Sequence, residues 1–205
     1  MIVLDQPDTS MPYKVFLDLL KKAEESNQQD TDIITISSFD KKIQEVQSRY
    51  VNLKYIKKNQ WIFFSNYNSP KAMSFKEHNQ ISALMYWNKI KTQIRMKAII
   101  SKADTEISDN HFHNRDISKN AIAICSNQSQ KIESHERFQE IFYDTFNKLK
   151  LKHKKSRKIL RPSHWGGFSF IPYYFEFWQG HPSRANKRDV YVMNEKKWNH
   201  FIIQP

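Results

Sequence analysis

The chain has 205 residues, of which 39% are hydrophobic and 14% aromatic, and this composition fits one folded, β-rich domain rather than a disordered chain. No apolar run approaches the roughly 20 residues that a membrane-spanning helix requires. The N-terminus also lacks the charged start and long apolar stretch of a signal peptide. We therefore expect a cytoplasmic protein without a membrane partner. A single cysteine, Cys125, excludes an internal disulfide and a metal site built from several cysteines.

The formal net charge of +12 is concentrated locally, because residues 148–161 contain eight Lys or Arg and no acid. A basic chain binds nucleic acid in some proteins and small phosphorylated ligands in others, and in many the charge serves only solubility. For residues 148–161 a solvated loop or a frayed helix end explains the charge, and a binding arm is the alternative. Charge alone therefore identifies no function.

Hydrophobic periodicity predicts short helices between successive strands. The first helix runs from Pro12 to about Glu25, with an apolar stripe of Val15, Phe16, Leu19, Leu20 and Ala23. Ser69 and Pro70 are typical of a helix cap and first position, for a helix that reaches about His78. Two more helices are expected, from Asp104 to about Asn114 and from Ser134 to Leu149. The predicted strands are Ile33–Ser38, Val46–Ile56, Trp61–Ser65, Ile81–Trp87, Gln93–Ser101 and two or three in the C-terminal region, the last at Trp198–Ile203.

Strands joined by short links favour an antiparallel sheet or barrel over a doubly wound parallel fold. The sequence contains neither a Gly-rich dinucleotide fingerprint nor a P-loop, which argues against nicotinamide and ATP sites. We find no domain boundary, so residues 1–205 are predicted to form one domain with an N-terminal helical segment at about 1–30.

Several residue groups have the chemistry of a binding site. Arg49 and Lys54 lie on one predicted strand at an odd spacing, so a regular strand would direct them to opposite faces, and a shared ligand would require a bulge or a position at the strand edge. Two surface charges explain them equally well. Lys71 lies near free amides at a predicted helix N-terminus, which is a ready anion site. Gln93 and the polar run 126–129 carry hydrogen-bonding groups suited to a heterocycle, or are ordinary strand and loop polarity.

Two further patterns concern metal and ring binding. His111 and His113 form a possible metal pair on a strand, but no third ligand accompanies them and we expect no metal. The three glycines, Gly166, Gly167 and Gly180, all lie in one aromatic-rich stretch, where we expect them to avoid a Cβ clash or to adopt positive φ. Arg184 and Arg188 follow this stretch, and guanidinium groups stack on flat rings and pair with phosphates.

The order of these motifs is similar to that of the pyridoxamine 5′-phosphate oxidase family. The most specific part lies in residues 161–205, a region of dimerisation and active-site motifs in that family. It comprises Trp165-Gly-Gly, Glu176-Phe-Trp-Gln-Gly180, the pair Arg184 and Arg188, then Tyr191, Trp198 and a closing Gln-Pro. Upstream, the matching elements are Arg49–Lys54, Phe64–Asn66, Ser69–Lys71, Gln93 and Gln128-Ser129.

The resemblance implies a β-rich α+β fold, the FMN-binding split β-barrel with short flanking helices, and a homodimer with FMN at the subunit interface. It implies oxidation of pyridoxamine or pyridoxine 5′-phosphate to pyridoxal 5′-phosphate in vitamin B6 metabolism, by hydride transfer to flavin N5 and reoxidation by molecular oxygen. The implied flavin contacts are Arg49, Lys54, Phe64, Ser65, Lys71, Gln93, Gln128, Ser129, Trp178 and Arg188. The implied substrate contacts are Lys54, His111, Arg115, Lys119 and Arg184, with Arg184 and Asn186 at the catalytic positions.

The substrate side departs from the family pattern. Asn186 replaces the histidine beside the ring, Lys187 the adjacent acid, His111 a tyrosine, and Lys119 a serine that contacts phosphate. On the flavin side Pro70 replaces an arginine, and Leu19 replaces a tryptophan of the first helix. Two alternatives to the oxidase therefore stay open. One is a relative that acts on a different planar heterocycle, and the other is a flavin-binding or nucleic-acid-binding protein without turnover, although the oxidase motifs argue against nucleic acid.

Overall fold

The computed structural model describes residues 1–154 and 159–205, and the chain folds into two compact units. Unit 1 contains residues 1–63, 74–101 and 169–205, and unit 2 contains residues 64–73 and 102–168. Whether residues 1–205 act as one domain stays a prediction. Over the described ranges, no helix is both long enough and apolar enough to cross a membrane.

Strands dominate the described residues, and three of the helices lie together between the sixth and seventh strands. The strands are β1 (Val3–Asp5), β2 (Ile33–Asp40), β3 (Glu45–Lys57), β4 (Gln60–Asn66), β5 (Gln80–Trp87), β6 (Thr92–Lys102), β7 (Trp165–Gln179), β8 (Lys187–Asn194) and β9 (Lys197–Ile202). The helices are α1 (Met11–Glu25), α2 (Pro70–Glu77), α3 (Thr105–Asn114), α4 (Ile117–Cys125) and α5 (His135–Lys154). A single 3-10 turn, Asn88–Ile90, joins β5 to β6.

The strands form one sheet in the order β1-β3-β2-β5-β6-β7-β8-β9, and β4 pairs with β3 and β7. The hairpins β2–β3, β3–β4, β5–β6, β7–β8 and β8–β9 are antiparallel, as the short links predicted. The short strand β1 pairs in parallel with β3. The predicted strands in the region before residue 103 are confirmed within one or two residues at each end.

Helix α1 buries an aromatic and aliphatic stripe in the core of unit 1. Tyr13, Phe16, Leu19, Leu20 and Ala23 are buried, so the stripe includes Tyr13 where the periodicity had placed Val15. The ring of Phe16 lies 4.5 Å from that of Trp61 and 5.7 Å from that of Trp87, measured between centroids. Because all three side chains are almost fully buried, their packing fixes α1 against the sheet of unit 1.

Unit 2 has its own small core around Phe112, Ala123 and Trp165, with Phe64, Ile124 and Ile159 packed against it. Helix α4, which contributes Ala123, was not predicted. Its isoleucines favour strands as much as helices, but Asp116 caps it by accepting a hydrogen bond from the Ser118 amide at 2.7 Å. A capping acid ahead of the Ile-Ala-Ile run was therefore the sequence signal that could have predicted α4.

The strand prediction for two histidines is wrong, and of the two explanations expected for the glycines the Cβ clash is confirmed. His111 and His113 belong to helix α3 rather than to a strand, so they do not form a strand pair. The described part of the chain contains no group of three His, Cys, Asp or Glu side chains that could hold a metal ion. None of the glycines has positive φ. Their role is instead to avoid a Cβ, because a Cβ at Gly167 would lie 2.9 Å from that of Ala103, and one at Gly166 would overlap the Tyr67 hydroxyl.

The basic run expected as a loop or frayed helix end begins inside a helix. Residues 148–154 form the last two turns of α5, with Leu149 buried and the neighbouring lysines exposed. Residues 155–158 lie outside the described residues. Arg161 donates to Asp109 Oδ1 at 2.6 Å, so at least one cation of the run has a structural partner.

We predict that Gly166→Ala lowers the free energy of unfolding by about 1–3 kcal/mol, the usual cost of overpacking. Tyr67→Phe removes the hydroxyl that the new Cβ would meet, although it also removes the hydrogen bond from that hydroxyl to the Gly167 carbonyl. The double variant should therefore lose less stability than the two single variants added together. Urea unfolding of the four proteins measures this, and a Gly166→Ala variant as stable as the wild type would contradict the packing.

Candidate functional site

Unit 2 contains a cavity of about 160 Å³ with an aromatic side and a polar side. Phe64, Trp165 and the aliphatic part of α4 form the first, and side chains from β4 and the segment after α4 form the second. The full lining is Phe64, Ser65, Asn66, Arg115, Ile122, Ala123, Ser126, Gln128 and Trp165. Four of the predicted site residues, Phe64, Ser65, Arg115 and Gln128, therefore meet at one cavity.

The aromatic side is a stack of nearly parallel rings. The Phe64 and His111 rings are 3.7 Å apart with an interplanar angle of 7°, and the Phe64 and Trp165 rings are 5.4 Å apart at 14°. His111 reaches this stack from the last turn of α3. These parallel rings, stacked face to face, form an apolar wall of the cavity, which suits contact with a flat ligand ring. Sequence reasoning assigned no role to Trp165 beyond its motif.

Arg115 supplies the positive charge of this cavity. It follows directly after α3, its guanidinium carbon lies 4.5 Å from the centre of the Trp165 ring, and Nη2 donates to the Lys119 carbonyl oxygen at 2.7 Å. Burial lowers the pKa of Arg115 to about 10, while the neighbouring Asp116 acts in the opposite direction. The group is still a cation at neutral pH, and stacking on Trp165 orients it. The side chain of Lys119 is exposed.

The polar side centres on the amide of Gln128. Its Oε1 accepts hydrogen bonds from Ser65 Oγ and from Lys71 Nζ, each at 3.2 Å, and Lys71 Nζ also lies 3.2 Å from Ser69 Oγ. Lys71 is buried, as is Ser69 at the start of α2. Ser129, next to Gln128, has a φ of 67°, so the chain turns sharply there. A buried cation beside two hydroxyls and an amide is a donor set that suits an anion.

Asn66 holds the segment after α4 against the end of β4. Its Nδ2 donates to the Ser126 carbonyl at 3.1 Å, and its Oδ1 accepts from the Asn68 amide at 2.7 Å. The side chain is buried, so both hydrogen bonds are shielded from water. Asn66 therefore helps to position the loop that carries Gln128, a role that sequence reasoning did not assign.

In unit 1, Gln93, Trp178 and Arg188 lie on adjacent strands of the sheet. Trp178 and Arg188 are register partners of β7 and β8. The Lys91 carbonyl, just before β6, accepts from the Gly180 amide, just after β7, at 2.9 Å. Further along the two strands, Arg95 of β6 contacts Glu176 of β7 at 2.9 Å. Gln93 lies midway between these two contacts on β6, and Trp178 lies midway between them on β7. Three predicted flavin residues are thus neighbours.

Arg49 and Lys54, also in unit 1, both lie on β3. The pairing of β3 with β4 shifts register between Leu53 and Tyr55, so Lys54 is the extra residue of a β-bulge. The bulge explains why Leu53 and Ile56 are both buried despite their odd separation. Arg49 donates to Ser38 Oγ at 2.8 Å, and burial lowers its pKa.

Lys54 forms an ion pair with Asp32, between Nζ and Oδ2 at 2.9 Å. Burial by itself raises the pKa of Asp32, but hydrogen bonds and charge from Lys54 and the Met1 ammonium outweigh burial and leave that pKa below its ordinary value. The carboxylate therefore stays ionised at neutral pH and holds Lys54 in place. Asp32 belongs to none of the motifs, so sequence reasoning did not reveal its role in holding Lys54.

Arg184 and Asn186 belong to the turn between β7 and β8. Arg184 is exposed and has a φ of 63°. The side-chain Oδ1 of Asn186 accepts a hydrogen bond from the His181 backbone amide at 3.0 Å. The backbone amide of Asn186 donates to the Arg184 carbonyl at 2.7 Å. Asn186 thus stabilises the conformation that presents Arg184. Contact of either residue with a ligand stays a prediction.

We predict that Asp32→Asn destabilises the protein most at neutral pH. A carboxylate with a depressed folded-state pKa stabilises the fold above its unfolded pKa of about 3.9, and this contribution disappears as the pH falls through the folded value. The difference in unfolding free energy between wild type and variant should therefore shrink below about pH 4. Asp5→Asn is the control, because Asp5 pairs with Lys57 at 3.2 Å on the surface. A difference that does not vary with pH would show that charge is not its source.

Comparison with known proteins was made on both sequence and structure. Residues 165–205 match the family model described as the pyridoxine 5′-phosphate oxidase C-terminal dimerisation region. The pyridoxine/pyridoxamine 5′-phosphate oxidase of Cytophaga hutchinsonii is 36% identical over 77% of this chain and 72% of its own length. A second such oxidase, from Hydrogenovibrio crunogenus, is 30% identical over 95% of this chain and 88% of its own.

Solved structures agree on the fold. The crystal structure of PhzG from Burkholderia lata 383 covers 98% of this chain, and 95% of that chain is covered, with a TM-score of 0.87 and 20% identity. A pyridoxamine 5′-phosphate oxidase-related, FMN-binding protein from Nostoc punctiforme covers 96% of this chain, with a TM-score of 0.72 and 12% identity. The expected β-rich fold of the FMN-binding split-barrel type is therefore confirmed. By sequence, the chain belongs to the pyridoxine/pyridoxamine 5′-phosphate oxidase family, a family of oxidases.

Proposed function

We propose that this protein is an FMN-dependent oxidase that converts pyridoxamine or pyridoxine 5′-phosphate into pyridoxal 5′-phosphate. The observation that carries the proposal is the unit 2 cavity, in which the parallel, stacked rings of Phe64 and Trp165 meet the Arg115 guanidinium. A flat ring with a phosphate group needs these two features together. The relatives named as pyridoxine/pyridoxamine 5′-phosphate oxidases support it.

The donor set of the described residues fits FMN. A phosphate monoester needs cations and hydroxyl or amide donors, and in unit 2 the buried Lys71 lies beside Ser65, Ser69 and Gln128. A flavin ring needs polar groups along its edge, which Gln93 and Arg188 of unit 1 offer next to Trp178. By the family motifs, these residues of each unit are assigned to FMN, as are Arg49 and Lys54 of unit 1 and Phe64 and Ser129 of unit 2. When bound, FMN would supply the acceptor for a hydride and a route for electrons to molecular oxygen.

The remaining chemistry belongs to the side chains. Arg115 stays charged at neutral pH and would bind the substrate phosphate, while the ring stack with His111 would exclude water from one face of the substrate. Lys119 would add positive charge for the same anion, and by the family motifs Lys54 of unit 1 is also assigned to the substrate phosphate. Arg184 would lie against the substrate ring, in an orientation that Asn186 maintains through the turn.

A homodimer is part of this proposal. Residues 165–205 match a family region described by its role in dimerisation, and Trp178, Arg184 and Arg188 all lie within it. If FMN binds at the subunit interface, loss of the dimer would remove FMN as well.

A second candidate is a flavoenzyme of the same family that acts on another planar heterocycle. The PhzG structure was solved in complex with tetrahydrophenazine-1-carboxylic acid, a heterocycle that carries a carboxylate instead of a phosphate. Asn186 and Lys187 stand where the family pattern has a histidine and an acid, so the ring-facing residues of this chain differ from the pattern on the side that would select the ring.

We predict that the purified protein with FMN is yellow, loses its visible flavin absorbance when mixed anaerobically with pyridoxamine 5′-phosphate, and regains it in air with release of hydrogen peroxide. Stopped-flow absorbance measures both half-reactions. A flavin that stays oxidised with the 5′-phosphates of both pyridoxamine and pyridoxine would support the second candidate. A protein that binds no FMN would refute both.

We further predict that Arg184→Ala lowers kcat/KM by roughly tenfold or more while FMN stays bound, since Arg184 would contact substrate and not flavin. Arg188→Ala should instead weaken FMN binding. Lys197→Ala is the matched control, because it removes one exposed positive charge at the start of β9 in the same C-terminal region. Steady-state kinetics and flavin titration distinguish the three variants. An Arg184→Ala variant with unchanged constants would move the substrate ring away from this turn.

A further inference from the structure

Glu176 is almost completely buried, with 1% of its side chain exposed, in a strand that is otherwise aromatic. A carboxylate in such a place is costly unless every acceptor position is used. Glu176 satisfies this requirement. Oε1 accepts from Arg188 Nε at 2.9 Å and Nη2 at 2.6 Å, and Oε2 accepts from Arg95 Nη1 at 2.9 Å and the Tyr174 hydroxyl at 3.0 Å.

Arg188 chelates one carboxylate oxygen of Glu176. Its Nε and Nη2 both donate to Oε1, and its Nη1 donates to the Gln204 carbonyl at 3.1 Å. The plane of the Arg188 guanidinium is therefore fixed from two sides. Arg188 is about one quarter exposed, so one edge of the group is still accessible for a ligand.

The charges of this cluster do not cancel. Arg95 and Arg188 contribute two positive charges, and Glu176 contributes one negative charge. Without the carboxylate, the two guanidinium groups would repel each other at close range. Glu176 thus keeps two cations adjacent beside Gln93 and Trp178, while the cluster retains a net positive charge.

We propose that Glu176 is the positioning residue of the cofactor site, which orients Arg188 for contact with the flavin. The inference rests on the proposed function, because it takes Arg188 to be a flavin contact. Glu176 acts through Arg188 and does not itself touch the cofactor, since its lone pairs are occupied by protein donors.

The test is a double-mutant cycle on FMN affinity. Dissociation constants for FMN, from the quenching of flavin fluorescence, are measured for the wild type, Glu176→Gln, Arg188→Ala and the double variant. Glu176→Gln should weaken FMN binding by about tenfold or more, because an amide cannot hold two guanidinium groups. The double variant should bind no more weakly than Arg188→Ala alone, which an independent structural defect would not produce.

A matched control and a conservative variant separate positioning from stability. Asp189→Asn removes the same kind of charge one residue from Arg188, where Asp189 pairs with Lys187 and His200, and it should leave FMN affinity within about twofold. Glu176→Asp keeps the charge, so it should restore the thermal unfolding midpoint, and its shorter side chain should leave FMN binding weak. This variant carries the test if Glu176→Gln does not fold.

The outcomes distinguish the inference from the proposed function. A wild type that binds FMN, with Glu176→Asp of unchanged affinity or with additive losses in the cycle, would overturn the role of Glu176 and leave the oxidase proposal intact. A wild type that does not bind FMN would overturn the oxidase proposal and this inference with it.

Discussion

The close backbone approach at Gly166 and Gly167 is the constraint on which the unit 2 cavity depends. The first residues of β7 pass so near Tyr67, Ala103 and Ser108 that a Cβ has no room. This approach places the neighbouring Trp165 against Phe64 and beneath the Arg115 guanidinium. The ring stack, the charged group and the small core of unit 2 therefore all follow from two missing side chains. The Trp-Gly-Gly motif is best understood as packing that creates the aromatic wall.

The cations of the candidate site are held in two different ways. Arg188 and Lys54 are oriented by buried carboxylates, Glu176 and Asp32, which offset part of their charge. Arg115 is oriented by an aromatic face and a backbone carbonyl, and the neighbouring Asp116 acts on it only through its charge. Carboxylate partners suit groups whose main task is to be in a fixed place. Orientation by neutral groups suits a cation whose task is to attract an anion.

The strands before residue 103 were predictable because each has a buried face and an exposed face, so its hydrophobic residues alternate. Helix α4 was not, because its isoleucines have no preference for a helix and only tertiary packing decides. The motifs included Glu176, Asn66 and Trp165 but did not indicate that these residues orient other groups, and Asp32 belongs to no motif. Glu176, Asp32, Asn66 and Trp165 act through neighbours distant in sequence, and local pattern carries no record of such contacts.

The residues of the site also differ in how far their chemistry could be foreseen. Lys71 belongs to a motif at a predicted helix N-terminus, and its charge suggested anion binding directly, whereas the phosphate role of Arg115 came only from the family resemblance. The turn role of Asn186 could not be inferred, since an asparagine in place of a family histidine was interpretable only as a change in ring contact. Its hydrogen bond to the His181 amide shows that the side chain also serves the backbone.

The β-bulge at Lys54 makes the length of β3 a property under constraint in its own right. One extra residue reverses the alternation of the strand, so that Val51, Leu53 and Ile56 all reach the core. In a regular strand of the same length Leu53 and Ile56, three residues apart, would point to opposite faces, with Ile56 in water and Lys57 facing apolar neighbours. Deletion of one residue between them would restore regular alternation with Ile56 still in the core, but it would remove the bulge that places Lys54 beside Asp32. Spacing here is thus constrained by the position of Lys54 rather than by burial, and lineages of this chain that keep the lysine should also keep the spacing.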